Sequence, residues 1–419
     1  MEGNPLKSWV RVPDRSDFTI HNLPYGIFRT SGRPPRAGVA IGDAVLDLAG
    51  VAEKGLLNDA VPDASVFSRR YLNDFMALGK PAWTAVRNRL TGLLTEGNTE
   101  LSAHADALLL PRASVELLLP VQVGDYTDFY SSEEHATNVG KMFRGADNAL
   151  LPNWKSLPVA YHGRASSIVV SGTDIVRPKG QMKAPDAPAP SFGPSKRMDF
   201  ELEVAFVIGK PTQMGQAIPT AAAEDHIFGF VLFNDWSARD IQQWEYQPLG
   251  PFLGKNFASS ISPWVVPLAA LEPFRVPGRA QYPEVLSYLK YKGHHSFDIA
   301  LEVALQPENG EETTICHSNF KHLYWNVCQQ LAHHTVNGCN VNVGDLMASG
   351  TISGPAAGSY GSLLELSWGG KNPVKLAGGV ERRFLEDNDT VVMRGHGEKG
   401  GIRVGFGEVR GKLVKATEG

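Results

Sequence analysis

Residues 199–206 read Asp-Phe-Glu-Leu-Glu-Val-Ala-Phe, and acidic and apolar side chains alternate along this stretch. Successive side chains of a β-strand point to opposite faces, so the pattern predicts a strand with Glu201 and Glu203 side by side. The intervening apolar side chains would then face the core. Two adjacent carboxylates repel each other unless a cation lies between them. An ordinary solvent-facing strand is the alternative that this segment alone leaves open.

Composition places the chain among soluble globular proteins and argues against several classes of partner. Its 419 residues are 42% hydrophobic and 20% charged, and a chain of this length usually forms two or three domains. A net charge of -4 gives no reason to expect nucleic acid or an anionic membrane as partner. The 43 glycines and 28 prolines favour strands and turns over a helical bundle.

The sequence also lacks the patterns of export, membrane insertion and cysteine cross-linking. Residues 1–7 do not show the basic and then apolar pattern of a signal peptide, and no apolar run is long enough to span a bilayer. Cys316, Cys328 and Cys339 are odd in number and not in CxxC spacing, so neither a disulfide framework nor a zinc site is indicated. We therefore expect a cytoplasmic protein of the reducing cytosol.

Residues 1–118 are predicted to form a separate, small β-rich domain. Short strand-like runs at 26–29, 39–42 and 44–48 are separated by turn residues. A helix is predicted from about 73 to 94, where apolar residues recur at helical spacing. No cluster of acids, bases or nucleophiles occurs in this part of the sequence, which favours a packing or docking role.

Residues 119–419 are predicted to form a larger, mainly antiparallel β domain with a few helices. Gly- and Pro-rich loops separate the strands in this part. A second helix is predicted from about 319 to 336, closed by Asn337 and Gly338. The predicted strands cover 166–171, 199–208, 227–234, 298–305 and 362–368.

Two further carboxylates could join the two glutamates in a metal site. Asp235 follows the apolar run 228–233, where a strand would end, and Asp128 lies in the segment DYTDFY at 125–130. Oxygen ligands of this kind suit Mg²⁺ or Ca²⁺, whereas zinc usually binds histidine or cysteine. Asp199 is expected to lie outside the ligand set.

A row of polar residues begins at Asp235. It consists of Asp235, Arg239, Gln242 and Tyr246, and Lys255 follows soon after. The spacing of four, three and four residues places the row on one face if the segment is helical. A solvated helix face is the alternative. The row begins at a candidate metal ligand and is surrounded by apolar residues, which favours a functional role.

His135 is the candidate general base. Ser131 and Glu134 fit the S-x-x-E capping box and place His135 in the first turn of a helix. The helix dipole there disfavours an imidazolium and so favours a neutral base. Glu365 is the only acid in the predicted strand 362–368, and pairing with His135 would satisfy its buried charge. A surface histidine in a capped helix is the alternative.

The loop at 350–354, GTISG, does not point to a serine hydrolase. Ser353 has no evident base beside it in the sequence, and the chain has no G-x-S-x-G elbow.

Together these segments resemble the fumarylacetoacetase (fumarylacetoacetate hydrolase) family. The resemblance covers nearly the whole chain from Ser16 onward and is strongest at 124–143, 234–240, 248–255 and 350–354. It implies a small SH3-like N-terminal barrel over 1–118 followed by a larger mixed β-sandwich roll over 119–419, mainly β with some helix, and a homodimer.

The resemblance also implies roles for individual residues. It implies a divalent cation, Mg²⁺ or Ca²⁺, held by Asp128, Glu201, Glu203 and Asp235, with Lys255 and Ser259 close to it. It implies catalysis by His135 as general base and Glu365 as its positioning group, with a carbonyl bound by Arg239, Gln242 and Lys255. It implies substrate binding by Tyr130, Arg144, Tyr161, Gln242, Tyr246 and Thr351. Ser259 and Ala258 stand where the family pattern has Thr and Gly, and the serine keeps the hydroxyl.

The implied activity is hydrolysis of a carbon–carbon bond in 4-fumarylacetoacetate, a β-diketo diacid, to fumarate and acetoacetate, the final step of tyrosine and phenylalanine catabolism. One alternative is a related metal-dependent keto-acid decarboxylase or isomerase. The other is a non-catalytic dimeric scaffold in which the metal only stabilises the fold. The His135 and Glu365 pair favours hydrolysis over the first alternative, and the complete polar row favours an enzyme over the second.

Overall fold

A computed structural model of the chain describes residues 6–418. Residues 1–5, which contributed to the expectation of no signal peptide, lie outside the described residues. Within the described residues, no helix combines the length and the apolar character needed to cross a membrane.

Strands outnumber helices in the described residues. The strands in chain order are β1 (Tyr25–Thr30), β2 (Arg33–Ile41), β3 (Ala44–Asp47), β4 (Leu109–Pro111), β5 (Glu116–Leu118), β6 (Tyr126–Phe129), β7 (Ala160–Gly163), β8 (Ile168–Val170), β9 (Ile175–Val176), β10 (Lys179–Met182), β11 (Ser191–Pro194), β12 (Met198–Asp199), β13 (Leu202–Ile208), β14 (Ile227–Asp235), β15 (Ser237–Ala238), β16 (Ser259–Ile261), β17 (Trp264–Pro267), β18 (Arg275–Val276), β19 (Ser296–Phe297), β20 (Ala300–Gln306), β21 (Thr313–Asn319), β22 (Leu346–Ala348), β23 (Val374–Lys375), β24 (Glu381–Arg382), β25 (Thr390–Lys399) and β26 (Ile402–Val414). The α-helices are α1 (Leu48–Glu53), α2 (Asn73–Met76), α3 (Lys80–Leu94), α4 (Ala105–Leu108), α5 (Glu133–Arg144), α6 (Arg239–Glu245), α7 (Val327–Thr335) and α8 (Leu363–Leu366).

The largest sheet among residues 6–418 has 13 strands and joins the N-terminal strands to the rest of the chain. Its main path runs in the order β4-β3-β2-β1-β17-β14-β13-β22-β6-β7. β1 pairs with β17 at Tyr25 and Val265, so the N-terminal strands are continuous with those of the larger part. The predicted fold class, mainly β with some helix, is confirmed. The SH3-like closure of the N-terminal strands and the boundary at 118/119 stay predictions.

Both faces of β13 are buried, which excludes the solvent-facing alternative for this strand. Val204 and Phe206 pack into a core that includes residues of the five-stranded sheet β21-β20-β25-β26-β9. Ala205 and Val207 point the other way, into a second core that includes residues of α3. The alternation in the sequence is therefore that of a strand between two cores. Glu201 and Glu203 share the face of Ala205 and Val207, as the period of two requires.

The helix predicted over 73–94 is two helices in the structure. Gly79 separates α2 from α3 and has a φ of 83°, a left-handed value that glycine adopts without the steric cost paid by other residues. Pro81 lies in the first turn of α3, where its missing N–H costs no hydrogen bond. The prediction missed this break because the apolar spacing continues across it.

The helix predicted from about 319 begins only at Val327. The Asn326 side chain accepts a hydrogen bond from the backbone N–H of Gln329, and the Gln329 side chain bonds back to the backbone of Asn326. This capping box fixes the true start of α7. Residues 320–322 form a separate 3₁₀ turn, so the predicted start was wrong by eight residues.

Candidate active site and metal centre

Four buried carboxylates meet at neighbouring strands of the large sheet. Asp128 lies on β6, Glu203 on β13 and Asp235 at the end of β14, and Glu201 directly precedes β13. Each residue offers one oxygen, and these four oxygens lie within 4.8 Å of one another. None of the four residues is more than 6% exposed. Such a concentration of buried negative charge requires compensation by cations or protons.

Two oxygens of this cluster have no hydrogen-bond donor within residues 6–418. They are Oδ1 of Asp128 and Oε1 of Glu203. The other oxygen of each group is occupied, since Tyr126 donates its hydroxyl to Asp128 Oδ2 at 3.0 Å and the Gly350 N–H donates to Glu203 Oε2 at 2.9 Å. Burial, and then the charge of Asp235, raises the pKa of Asp128 well above its usual range. Two free carboxylate oxygens in an all-oxygen cluster fit a hard divalent cation.

Lys255 partly compensates the cluster. Its ammonium donates to Asp235 Oδ2 at 2.6 Å and also to Glu201 Oε2. Burial disfavours the charged form of this lysine, but Asp235 and Glu201 outweigh that effect and raise its pKa. A protonated ammonium has no lone pair, so the Lys255 side chain acts as a charge partner of the carboxylates and not as a metal ligand. The expectation that Lys255 lies close to the cluster is met by this geometry.

Arg239 is the second cation of the cluster. Its Nη2 lies 2.8 Å from Glu201 Oε1, and its Nε donates to Asp199 Oδ2 at 2.7 Å. Burial would raise the pKa of Glu201, but Lys255 and Arg239 hold it below its usual value. Glu203 differs, because burial and then the charge of Asp128 raise its pKa. Both Lys255 and Arg239 thus form ion pairs with Glu201, whereas Asp128 and Glu203 have no ion pair with either cation.

Two hydroxyl groups complete the surroundings of Asp235. Ser259 donates its Oγ–H to Asp235 Oδ1 at 3.1 Å, and Tyr161 donates its hydroxyl to Asp235 Oδ2 at 2.8 Å. Ser259 stands where the family pattern has threonine, and its hydroxyl makes this hydrogen bond to Asp235. Ser259 lies beside the cluster, as expected from the sequence.

His135 and Glu365 are in direct contact although they are 230 residues apart. The Nδ1 atom of His135 lies 2.6 Å from Oε2 of Glu365, and both side chains are buried. The carboxylate accepts the Nδ1–H, so the remaining ring nitrogen, Nε2, is the one with a free lone pair. Nε2 lies 3.8 Å from Glu201 Oε1. The surface-histidine alternative is excluded by this burial.

Three further donors hold Glu365, and sequence analysis did not identify them as partners. Asn138 donates to Oε1 at 3.0 Å, and Ser353 and Ser362 donate to Oε2 at 2.9 and 2.8 Å. Burial raises the pKa of Glu365, but His135 and these hydrogen bonds outweigh it and keep the pKa below its usual value. Glu365 is therefore an ionised carboxylate that accepts a hydrogen bond from the imidazole.

The local structure around this pair differs from the prediction in two ways. The cap of α5 is Ser132, whose side chain accepts from the backbone N–H of His135, and not the predicted Ser131. Residues 362–368 do not form the predicted strand, since 363–366 is the short helix α8 capped by Ser362. A short apolar run fits a buried strand or a buried helix equally well, and the cap decided between them. His135 still lies in the first turn of α5, as predicted.

The polar row predicted on one helix is divided between two elements. Asp235 belongs to β14, and α6 begins only at Arg239, so the prediction was wrong for Asp235. Within α6 the predicted spacing holds: Arg239 Nη1 donates to Gln242 Oε1 at 3.1 Å. Tyr246 follows as the cap residue at the end of the helix. The buried start of α6 excludes a wholly solvated face.

A cavity of about 400 Å³ opens beside the carboxylate cluster. The predicted site residues that line it are Asp128, Tyr130, His135, Arg144, Tyr161, Glu201, Arg239, Gln242, Tyr246, Lys255 and Thr351. Glu203, Asp235, Ser259 and Glu365 are not among the lining residues and lie behind this wall. The sequence did not predict the apolar part of the lining, which includes Val139, Phe143, Leu151, Val159 and Leu249. A polar, charged end and an apolar wall therefore share one cavity.

Arg144 and Thr351 have free capacity to bind a ligand in this cavity. Arg144 donates to the backbone carbonyls of Asn148 and Ala149 at 3.1 and 2.7 Å. Within residues 6–418 both hydrogen bonds of its guanidinium go to these neutral carbonyls and none goes to a carboxylate, so its charge is unpaired there. The Thr351 hydroxyl is buried, and no described residue forms a hydrogen bond with it.

Family models match almost the whole of this chain. A model described as Fumarylacetoacetase N-terminal matches residues 21–120, and one described as Fumarylacetoacetate (FAA) hydrolase C-terminal matches residues 125–414. The chain is similar to the fumarylacetoacetase of Caenorhabditis elegans, with 54% identity over 417 residues that cover 98% of this chain and 100% of that protein. It is similar to the human fumarylacetoacetase, with 52% identity over 416 residues that cover 98% and 99% of the two chains.

A solved structure shares the fold at lower sequence identity. It is the fumarylacetoacetate hydrolase from psychrophilic Exiguobacterium antarcticum, with a TM-score of 0.52, 19% identity, and coverage of 94% of this chain and 100% of that chain. At this identity the likeness concerns the fold alone.

Proposed function

This chain belongs to the fumarylacetoacetase family, and from that membership we propose that it hydrolyses fumarylacetoacetate to fumarate and acetoacetate. It is a hydrolase that acts on a carbon–carbon bond, and the reaction closes the breakdown of tyrosine and phenylalanine. The observation that carries the proposal is the buried contact of 2.6 Å between His135 and Glu365 beside a cavity that reaches the four-carboxylate cluster. A related decarboxylase or isomerase with the same acidic cluster need not have this pair, which favours hydrolysis.

His135 is the proposed general base. Its Nδ1–H is bound to Glu365, so Nε2 takes the proton from the attacking water, and this step typically contributes about 10²- to 10⁴-fold to the rate. Water then adds to the carbonyl carbon of the fumaryl group, which becomes the second carboxylate of fumarate. When the carbon–carbon bond breaks, its electron pair leaves with the acetoacetate carbon and is delocalised as an enolate. The proton held on His135 is then available to that carbon, which balances the hydrolysis.

Arg239, Gln242 and Lys255 are the proposed groups for the developing oxyanion. All three line the cavity, and Arg239 and Lys255 are held by ion pairs to buried carboxylates. Donors fixed in this way stabilise charge in the transition state without reorganising, and loss of one typically costs about 3 to 4 kcal/mol. The positive charge of Arg239 and Lys255 also favours binding of a substrate with two carboxylates.

Asp128, Glu201, Glu203 and Asp235 are the proposed ligands of a divalent cation, Mg²⁺ or Ca²⁺. The two free oxygens, on Asp128 and Glu203, and the raised pKa of both side chains support this assignment. A divalent cation held there would act as a Lewis acid and stabilise negative charge on the substrate oxygens. Ser259 lies behind Asp235 and orients that ligand through its hydroxyl.

The remaining lining residues are the proposed substrate contacts. Arg144 offers an unpaired guanidinium for a substrate carboxylate, a pairing that is strong when two N–H groups engage one carboxylate. Tyr130, Tyr161, Tyr246 and Thr351 supply hydroxyl groups around the same cavity. The apolar wall fits the carbon chain between the two carboxylates. A cytosolic location, expected from the cysteine pattern, and a homodimer, implied by the family resemblance, complete the proposal.

The direct test is to add fumarylacetoacetate to the purified protein with Mg²⁺ or Ca²⁺ and follow the loss of substrate absorbance. The proposal predicts that fumarate and acetoacetate appear in equal amounts as the absorbance falls. Carbon dioxide or an isomer as product would instead support the decarboxylase or isomerase alternative. A folded, metal-bound protein that leaves the substrate unchanged would support the scaffold.

A further inference from the structure

Asp199 joins two parts of the site that are distant in sequence. Its Oδ2 accepts hydrogen bonds from Arg239 Nε at 2.7 Å and from the backbone N–H of Leu364 at 3.1 Å. Its Oδ1 accepts from the backbone N–H of Leu363 at 2.7 Å. The side chain is fully buried. Leu363 and Leu364 begin α8, and the next residue of that helix is Glu365.

Both groups held by Asp199 lead to residues that line the cavity. Arg239 reaches Glu201 and Gln242 with its two terminal nitrogens, at 2.8 and 3.1 Å. Glu365 reaches His135. One carboxylate therefore fixes the guanidinium and the start of the helix that carries the partner of the imidazole. Within residues 6–418, no other side chain hydrogen-bonds to both Arg239 and the backbone of α8.

We propose that Asp199 is a positioning residue that sets the placement of Arg239 relative to the His135 and Glu365 pair. This inference rests on the proposed function, in which Arg239 binds the oxyanion and His135 is the base. The two groups must act on the same carbonyl, so the distance between them matters for the rate. Asp199 does not line the cavity and has no direct contact with the substrate in this account.

Asparagine cannot replace Asp199 without a conflict. Each carboxylate oxygen accepts two hydrogen bonds. Oδ2 accepts the two described above, and Oδ1 accepts from Leu363 and also from the backbone N–H of Phe200 at 2.8 Å. An amide has one acceptor oxygen and one donor nitrogen, so either orientation turns an N–H group toward donors already in place. Asp199→Asn therefore shifts Arg239, α8 or both, while the volume of the side chain is kept.

Asp47 provides a matched control far from the site. It is also a buried aspartate that binds an arginine Nε at 2.7 Å, that of Arg36, and a helix N-terminal N–H, that of Gly50 at 3.1 Å. Asp47→Asn makes the same chemical change at α1. Both variants are expected to lower the melting temperature, so loss of stability alone cannot explain a difference between them.

The experiment measures turnover of fumarylacetoacetate and the NMR signal of the proton between His135 and Glu365. The second readout uses protein with ¹⁵N-labelled histidine, and its signal is assigned by its loss in His135→Ala. We expect Asp199→Asn to lower kcat about 10²-fold, with a smaller change in KM, because small misplacements in an active site have effects of this size. We also expect the proton signal to shift or broaden. Asp47→Asn should leave kcat and the signal as in the wild type.

A folded Asp199→Asn protein with an unmoved proton signal would overturn the inference, whether or not kcat falls, because a fall would then come from Arg239 alone. Should that variant not fold, Asp199→Glu keeps the charge opposite Arg239 and displaces the carboxylate, and the same shift is expected. The NMR readout needs no turnover. A shifted signal in a protein whose wild type does not hydrolyse the substrate would support the role of Asp199 and refute the proposed function.

Discussion

His135 Nδ1 lies 2.6 Å from Glu365 Oε2, and this contact decides which ring nitrogen can act as a base. Glu365 occupies Nδ1, so Nε2 carries the free lone pair. Asn138, Ser353 and Ser362 fill the remaining positions around the carboxylate. These donors hold Glu365 in place. Of the two side chains of the pair, only the imidazole of His135 lines the cavity.

The first prediction concerns the charge of Glu365. Glu365→Gln keeps the size of the side chain but removes the negative charge that orients the imidazole and stabilises its protonated form. We expect kcat to fall by about 10²- to 10⁴-fold, because an amide at this position no longer holds the imidazole in the tautomer that leaves Nε2 free. Steady-state kinetics at saturating metal measure this, with KM expected to change little. A kcat within a few-fold of the wild-type value would show that Glu365 has no such role.

The second prediction concerns Lys255 as charge partner of the cluster. Lys255→Met leaves Glu201 and Asp235 without their shared ammonium. Removing one partner of a buried ion pair typically costs about 3 to 5 kcal/mol, and we expect a loss of this order in urea unfolding of the metal-free protein. A divalent cation should restore part of it, because it binds only the folded state.

Lys80→Met is the matched control for that variant. Lys80 pairs with Asp225 at 2.7 Å, but both side chains are more than half exposed. Exposed pairs contribute about 0.2 to 1 kcal/mol, so the control should barely change stability. Equal effects of the two substitutions would contradict the account of Lys255.

The third prediction concerns the Thr351 hydroxyl, which forms no hydrogen bond with any described residue. Thr351→Val has nearly the same shape, so the melting temperature should be unchanged. If the hydroxyl binds substrate, the loss of one hydrogen bond worth about 0.5 to 1.5 kcal/mol should raise KM roughly 2- to 10-fold. Thr335→Val provides the contrast, because that hydroxyl bonds to Leu331 and Ile218 and its loss should lower stability. An unchanged KM in Thr351→Val would remove Thr351 from the substrate contacts.

The fourth prediction concerns pH and metal binding. Burial raises the pKa of Asp128 and of Glu203, so both carboxyls hold protons in the metal-free protein at pH values where free carboxyls are ionised. The cation binds the ionised form. Its affinity should therefore rise with pH, and binding should release protons.

Calorimetric titration in two buffers of different ionisation enthalpy counts the protons that are released. A related consequence is that the metal-free protein loses stability as pH rises above the ordinary carboxyl range, about 4, through the raised pKa values, because the folded state holds more protons than the unfolded one. Saturating cation should remove this loss. Affinity that does not change with pH would refute the raised pKa values.

The sequence predicted the part of the site that depends on local periodicity. The period of two along 199–206 placed Glu201 and Glu203 on one face, and the end of the apolar run before Asp235 placed that carboxylate at the end of a strand. The face that carries the glutamates is buried farther along β13, where Ala205 and Val207 belong to a core that includes residues of α3. A local pattern does not contain that information, so the solvent-facing alternative stayed open until the structure was known.

Other parts of the site depend on contacts between distant segments. Asn138 and Ser353 meet at Glu365 only because α8 packs against α5 and the loop after β22 returns to them. The sequence around Glu365 also suited a strand, and a single serine cap made it a helix. For Asp199 the sequence predicted only a place outside the metal ligands. Its contact with α8 could not be predicted, because the two segments are more than 160 residues apart in the sequence.

The most direct test of the central claim is to compare the wild type and His135→Ala at equal metal content. Metal bound per protein is measured first, since His135 is not among the four carboxylate ligands. Hydrolysis of fumarylacetoacetate is then followed by the appearance of fumarate and acetoacetate. The account predicts that His135→Ala binds metal as the wild type does and forms no measurable product. Near-normal product formation by this variant would contradict the assignment of His135 as the base.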